Sequence, residues 1–172
     1  MPDSDPSDDT DLILREPAAT EGHAVHQLIA RCKPLDENSV YCNLLQCSHF
    51  AATSCAAVMD GDVVGFVSGY RVPPRPTTLF VWQVAVDERA RGRGLAKRLI
   101  SAILQRDGNR DIDHLETTIT PDNAASWALF EGLARQWGAD GERHTLFERE
   151  AHFAGAHDSE VLYRIGPFAT PA

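Results

Sequence analysis

The sequence predicts a three-layer α+β fold, in which a mixed, mostly antiparallel central sheet carries helices on both faces. Three observations predict it. Two apolar runs, 54–59 and 63–70, are joined by Asp60-Gly61, a dipeptide suited to a tight hairpin turn. A third run ends in Val84-Ala85-Val86 and passes through a polar segment with two glycines into an amphipathic helix. A strand at 114–120 then feeds another helix, so hairpins in the first half meet a strand–helix–strand unit in the second.

Each element has its own signal. Leu12, Ile13 and Leu14 open a short strand over 12–15. Val25, Leu28, Ile29 and Cys32 recur at i, i+3, i+4 and i+7, one apolar stripe of a helix that Pro34 ends. Residues 38–49 form a second helix carrying Tyr41, Leu44 and Leu45. After the hairpin, Pro73-Pro74-Arg75-Pro76 reads as a loop that breaks the sheet before a strand at 78–86. Leu95, Leu99 and Ile103 mark the next helix, and 114–120 the next strand. Asn123 caps a helix whose buried stripe is Phe130, Leu133, Ala134 and Trp137. The segments 143–149 and 160–165 form an antiparallel pair around a loop holding His152, Gly155 and His157. The predicted order is βααβββαβαββ.

A chain of 172 residues is one ordinary domain. It buries roughly 70% of its unfolded surface and needs no disulfide or metal staple. Residues 1–10, with four Asp, two Ser, two Pro and one Thr, read as a disordered acidic tail. Residues 11–168 form the single globular unit, and 169–172 a short tail. Acidic residues outnumber basic ones 25 to 16, a net charge of −9, which argues against nucleic acid and anionic membrane as partners. No apolar run approaches the roughly 20 residues of a membrane span. The start lacks the basic and apolar regions of a signal peptide, so the expected location is the cytoplasm. There Cys32, Cys42, Cys47 and Cys55 stay reduced. Cys42, Cys47 and His49 lack the spacing of a zinc knuckle, so the thiols read as buried structural groups, with no metal.

The stretch from Trp82 to Ala96 carries the chemistry. Gly92 and Gly94 remove side chains where a ligand must approach the backbone. The helix that opens at Leu95 presents unpaired N–H groups and a positive dipole end, and Arg91 and Arg93 add charge. Together they read as a phosphate cradle; the plainer alternative is a glycine-rich helix cap. The dinucleotide fingerprint fails, because Lys97 stands where its last glycine belongs, and the triphosphate loop has no match. The pattern Arg91-x-x-Gly94-x-Ala96 after Val84-Ala85-Val86 resembles the coenzyme A pyrophosphate motif of the GCN5-related N-acetyltransferases (GNAT). Asn123-Ala-Ala-Ser126-Trp-Ala-Leu-Phe130 resembles that family's second signature. The resemblance covers about residues 12–166. It implies a GNAT-like sheet and acetyl-CoA as co-substrate. It also implies a CoA site built from Val84, Ala85, Val86, Arg91, Gly92, Arg93, Gly94, Leu95, Ala96, Asn123, Ser126 and Phe130. The chain departs from the pattern at Phe130, where many members carry a proton-donating Tyr; Phe cannot donate, and a core role suits it better.

Three further segments resemble, within that superfamily, the L-2,4-diaminobutyrate acetyltransferases of ectoine synthesis: 32–45, 80–86 and 155–164. This resemblance implies acetylation of the 4-amino group of L-2,4-diaminobutyrate and a homodimer. Asp36 and Glu160 then pair with the amines, Asn38, Tyr41, Gln83 and Asn123 hydrogen-bond, and Trp82 walls the aliphatic stem. Plainer roles stand beside these: a helix cap for Asp36, a solvated strand residue for Glu160, core for Trp82, a loop hydrogen bond for His157. An alkylamine of pKa near 10 is only ~10⁻³ neutral at pH 7, and only the neutral form attacks a thioester. A base is therefore required, for which Glu160 and His157 are the candidates. A backbone N–H near Val84, in the segment 84–86, is expected to stabilise the developing oxyanion, and direct attack needs no nucleophilic Cys. The alternatives are another small-amine N-acetyltransferase or a catalytically silent acyl-CoA-binding module.

Overall fold

The computed structural model describes residues 11–172; the expectation of a disordered tail over 1–10 lies outside them. Seven strands form one sheet in the order β1-β2-β3-β4-β5-β7-β6. The strands are β1 (Leu12–Arg15), β2 (Cys55–Met59), β3 (Asp62–Val72), β4 (Arg75–Val86), β5 (His114–Ile119), β6 (Gly141–Phe147) and β7 (Glu160–Ile165). All neighbours pair antiparallel except β4 and β5, which are parallel.

Turn chemistry sets the first half. Asp60 and Gly61 both adopt positive φ, 51° and 83°, the left-handed pair that matches the twist of a two-residue hairpin. The expectation of a sheet-breaking loop at 73–76 is corrected. Val72 pairs with Arg75, so only Pro73 and Pro74 turn the chain, and β4 already contains Pro76. Prolines at a hairpin turn and at the start of a strand remove no interior ladder bond.

The four longer helices divide between the faces. α1 (Gly22–Arg31) sets Val25, Leu28 and Ile29 against Ala56, Val63, Phe66 and Ala85. On the other face, α3 (Leu95–Gln105) buries Leu95, Leu99, Ile100 and Ile103 against Val64, Val67, Leu79 and Val81. Phe130, Leu133 and Ala134 of α4 (Ala124–Gln136) complete that core. The stripe predicted from Trp137 continues only in part, because Trp137 is the half-buried cap residue of α4.

Two elements differ from expectation. α2 (Val40–Cys47) is shorter than 38–49, because the Ser39 side chain accepts the Cys42 N–H and caps the helix. It buries Asn43 and Gln46, whose side chains bond to each other and, through Asn43, to His26; Tyr41 and Leu44 are exposed. Past Phe147 the chain does not continue as a strand to 149. It coils into α5 (Arg149–Phe153), where His152 accepts the Glu148 N–H and Ala154 and Gly155 stop the helix at positive φ. The observed order is βααβββαβαβαβ. Of the four thiols, Cys32, Cys47 and Cys55 are buried and Cys42 is half-buried. Burial pushes Cys47 up to about 12 and Cys55 to about 11.

The feature that positions the site is a gap in the sheet. β4 and β5 pair only from Thr78↔His114 to Phe80↔Glu116. Beyond that point β5 keeps its pairing with β7, β4 keeps its pairing with β3, and the two inner strands part. Glu116 anchors the closed end, with its buried carboxylate held by Arg75 at 3.0 Å and Arg164 at 2.5 Å.

Candidate active site

The free edge of β4 is prepared by an irregularity. The β3–β4 register slips between Val67↔Val84 and Gly69↔Val81, which inserts an extra residue into β4 at 82–83. Such a bulge places Trp82 and Gln83 on the same, α1-side face. Gln83 is buried and Trp82 remains 42% exposed, so Trp82 is not core. The N–H groups of Gln83 and Asp87 both point to β3, donating to Ser68 Oγ at 3.0 Å and to the Val64 carbonyl at 2.8 Å. Backbone groups alternate along a strand, so the N–H groups of Val84 and Val86 face the gap. Ala85 lies buried against the α1 core.

The strand runs directly into the glycine-rich turn. Asp87 caps a short 3-10 turn, Glu88–Ala90, by accepting the Arg89 N–H at 3.0 Å. Gly92 and Gly94 have φ of 79° and 63°, the region in which Cβ is costly. Gly94 is the N-cap of α3 and supplies no side-chain cap, so the first-turn N–H groups of α3, from Leu95 and Ala96 onward, have no capping side chain there. A Cβ built at Gly92 or Gly94 meets no atom within 4 Å. The space over both glycines is open. Arg91 borders this space and donates from Nε to the Val86 carbonyl at 3.4 Å; Arg93 is half-buried beside it.

Across the gap, Asn123 caps α4 by accepting the Ser126 N–H at 3.2 Å. Ser126 is half-buried, whereas Phe130 is only 3% exposed within the α3–α4 core. The structure thus puts Phe130 where a core residue belongs.

The α1-side mouth of the gap gathers the acidic residues. Glu160 opens β7 and pairs with Phe147 of β6. Its carboxyl is raised above the ordinary value, chiefly by burial and further by the charge of Asp36, while His157 and a hydrogen bond from Thr118 oppose the rise. His157 stands with Nε2 4.0 Å from Glu160 Oε1, and its Nδ1 lies 2.6 Å from the Asp158 carbonyl. Asp36 is exposed, and Ser39, not Asp36, caps α2. Asn38 is half-buried near it, and Tyr41 is 69% exposed on α2. Trp82 lies two residues beyond Phe80, and Thr118 two beyond its partner Glu116, so both flank the opening on one face.

Sequence reasoning missed Thr118 and the aromatic wall. Phe50, Tyr70 and Phe80 join Trp82, with Tyr70 and Phe80 stacked at 5.1 Å and Phe50 edge-on to Trp82 at 6.4 Å. Phe50, Tyr70 and Trp82 line a cavity of about 750 Å³. The alternation of β5, which puts Thr118 on the face of Glu116, was the available signal for the first; nothing local marks Phe50. Among the described residues no group of three or more His, Cys, Asp or Glu could hold a metal ion. Among them, too, no helix is long and apolar enough to cross a membrane.

A strand that leaves its parallel neighbour and runs into an open glycine turn at the start of a helix is a site suited to an acyl carrier bearing phosphate. The chain belongs to the acetyltransferase (GNAT) family, whose model matches residues 22–134. It is 56% identical over 157 residues to the L-2,4-diaminobutyric acid acetyltransferase of Methylotuvimicrobium alcaliphilum, a match covering 91% of each chain. It is 49% identical over 153 residues to the enzyme of that name from Vibrio parahaemolyticus, covering 89% of this chain and 84% of that one. Its structure matches the diaminobutyrate acetyltransferase EctA from Paenibacillus lautus, solved in complex with its substrate L-2,4-diaminobutyric acid and coenzyme A. That match has a TM-score of 0.87 and 36% identity, over 95% of this chain and 99% of that one.

Proposed function

We infer that this chain is an L-2,4-diaminobutyrate N4-acetyltransferase of ectoine biosynthesis. It transfers acetyl from acetyl-CoA to the 4-amino group, giving N4-acetyl-L-2,4-diaminobutyrate and CoA. What supports this reading is the open glycine turn that follows β4, together with Glu160, whose carboxyl feels the charge of Asp36. The names of its relatives, at 49% and 56% identity, support the substrate. Diaminobutyrate carries two ammonium groups and one carboxylate, and the acidic mouth suits its net positive charge.

The pyrophosphate of acetyl-CoA rests on Gly92, Gly94 and the first turn of α3, with Arg91 and Arg93 beside it. The pantetheine arm runs in the gap past Asn123 and Ser126. Asp36 and Asn38 hold the 2-ammonium and carboxylate end of the acceptor, Trp82 walls its stem, and Tyr41 and Gln83 complete the acceptor site. Glu160, its carboxyl raised by burial, takes the proton of the 4-ammonium directly or through water, assisted by His157. The free amine then attacks the thioester carbon; the C–N bond forms, the C–S bond breaks, and CoA leaves as the thiolate, taking up the proton that the nitrogen sheds. The N–H groups of Val84 and Val86 face the oxygen on which charge develops. Direct attack needs no nucleophilic thiol, and burial pushes the thiols of Cys47 and Cys55 up.

The same reading makes residues 11–168 the catalytic unit of a cytoplasmic homodimer. Exposed Leu44 on α2, and Leu146 and Phe147 on β6, supply apolar surface for a second copy. Light scattering across micromolar concentrations tests this; the 18.9 kDa monomer mass throughout would refute it. The activity is tested by mixing acetyl-CoA with a panel of diamines and following free thiol. Release only with diaminobutyrate supports the assignment, release with another amine reassigns the acceptor, and none with any acceptor makes the chain a silent acyl-CoA binder.

A further inference from the structure

Between α1 and α2, residues 33–39 lie in no helix or strand, and they carry Asp36 and Asn38. The root of this loop is fastened twice to the end of β4. Arg31, the last residue of α1, places Nη2 2.9 Å from Asp87 Oδ2. Cys32, the C-cap, is 4% exposed and aims its Sγ at the Val86 carbonyl, 3.4 Å away. The same carbonyl oxygen accepts Arg91 Nε of the cradle, also at 3.4 Å. Asp87 is itself fixed, because its N–H donates to Val64 and its other oxygen accepts the Arg89 N–H. Beyond Cys32 the loop folds back on this root, with the Leu35 N–H donating to the Cys32 carbonyl at 3.0 Å.

We propose that Arg31 and Cys32 are positioning residues that register the acceptor loop against the phosphate cradle. The proposal rests on the acyl-transfer reading above. The acceptor and the thioester are held by different parts of the chain, and their reacting atoms must meet within a few tenths of an ångström. Displacements of about 1 Å in such an arrangement cost up to about 10²-fold in rate. The Val86 carbonyl and the Asp87 carboxylate form the hinge pin between the two parts. Asp87 faces Arg31 from α1 and Arg89 from its own turn, so removing Arg31 frees the loop and leaves the cradle's own contact in place.

The test compares Arg31→Met, which keeps the apolar stem, with Arg31→Lys, which keeps the charge. Steady-state kinetics with diaminobutyrate, calorimetric titration of acetyl-CoA and thermal unfolding are run on each full-length variant. Arg31→Met is expected to raise KM for diaminobutyrate about fivefold, the scale of a half-exposed ion pair. Acetyl-CoA affinity stays within about twofold of wild type, and Arg31→Lys recovers most of the loss. Cys32→Ala raises the same KM, and Cys32→Ser, which keeps a donor, restores it. Arg31→Met with an unchanged KM overturns the proposal, as does an equal loss of acetyl-CoA affinity, which would make Arg31 part of the cradle. A wild-type enzyme that leaves diaminobutyrate unacetylated overturns the functional reading, and the positioning role falls with it.

Discussion

Nε2 of His157 lies 4.0 Å from Oε1 of Glu160, while the ring centroids of Phe153 and His157 lie 4.7 Å apart. The carboxyl of Glu160 has a donor in Thr118, a second carboxylate nearby in Asp36, and an imidazole within reach. One proton acceptor is thus held between a group that lowers its affinity for protons and one that raises it.

That arrangement fixes the sign of a pH effect. In the proposed reaction Glu160 works as the carboxylate, and its carboxyl is raised above the ordinary value, first by burial. Activity should therefore fall with decreasing pH along a limb lying above the ordinary carboxylate range. Asp36→Asn removes a charge that raises this group and moves the limb to lower pH; His157→Gln removes one that lowers it and moves the limb up. Profiles of kcat against pH check both. A limb that persists unmoved in Glu160→Gln assigns the base elsewhere.

Asp36→Ala should raise KM for diaminobutyrate and leave acetyl-CoA affinity nearly unchanged. A lost charge-assisted hydrogen bond of roughly 1.5–3 kcal/mol implies about a 10- to 150-fold loss in kcat/KM. Full activity in this variant would remove Asp36 from the acceptor site.

Gly94→Val should abolish measurable acetyl-CoA binding without unfolding the protein. The Cβ meets nothing within 4 Å, so it intrudes on the ligand and not on the core. At φ of 63° a branched residue costs about 1–2 kcal/mol, a fall in Tm of roughly 2–8 °C. Calorimetry showing wild-type affinity would refute the cradle.

Glu116→Ala tests the anchor at the closed end of the gap. Arg75 and Arg164 keep partial access to water, with side chains 47% and 26% exposed, so both rehydrate when the carboxylate is lost. The expected cost is about 1–3 kcal/mol, read as a lower denaturation midpoint at unchanged slope. A neutral result would make the clamp decorative.

The parts of this fold legible in the sequence are those with local physical signals. Asp60-Gly61 marked its hairpin because only left-handed backbone closes that turn, and the α1 and α3 stripes marked their buried faces. Pro73 and Pro74 misled for the opposite reason: two prolines fit a turn between paired strands as well as a loop, and only the Val72↔Arg75 pairing distinguishes these. The buried face of α2 was not legible either, since α2 buries Asn43 and Gln46 through hydrogen bonds that periodicity does not register. In the site, the glycines and the acidic residues were visible as residue types. The bulge at 82–83, the gap past Phe80 and Thr118's bond to Glu160 depend on pairing between distant strands. No local pattern encodes them.

In the proposed reaction the site presents the 4-amine of diaminobutyrate to the thioester. The nearby carboxylate and second ammonium perturb the 2-amino group more, making it the more acidic amine and the one favoured by intrinsic reactivity at neutral pH. Selective 4-acetylation must then come from positioning, with Asp36 holding the far end and Glu160 beside the reacting nitrogen. NMR of the wild-type product separates the two isomers directly. Essentially pure N4-acetyl product is expected; a product that is mainly the 2-acetyl isomer would overturn this positioning of the acceptor.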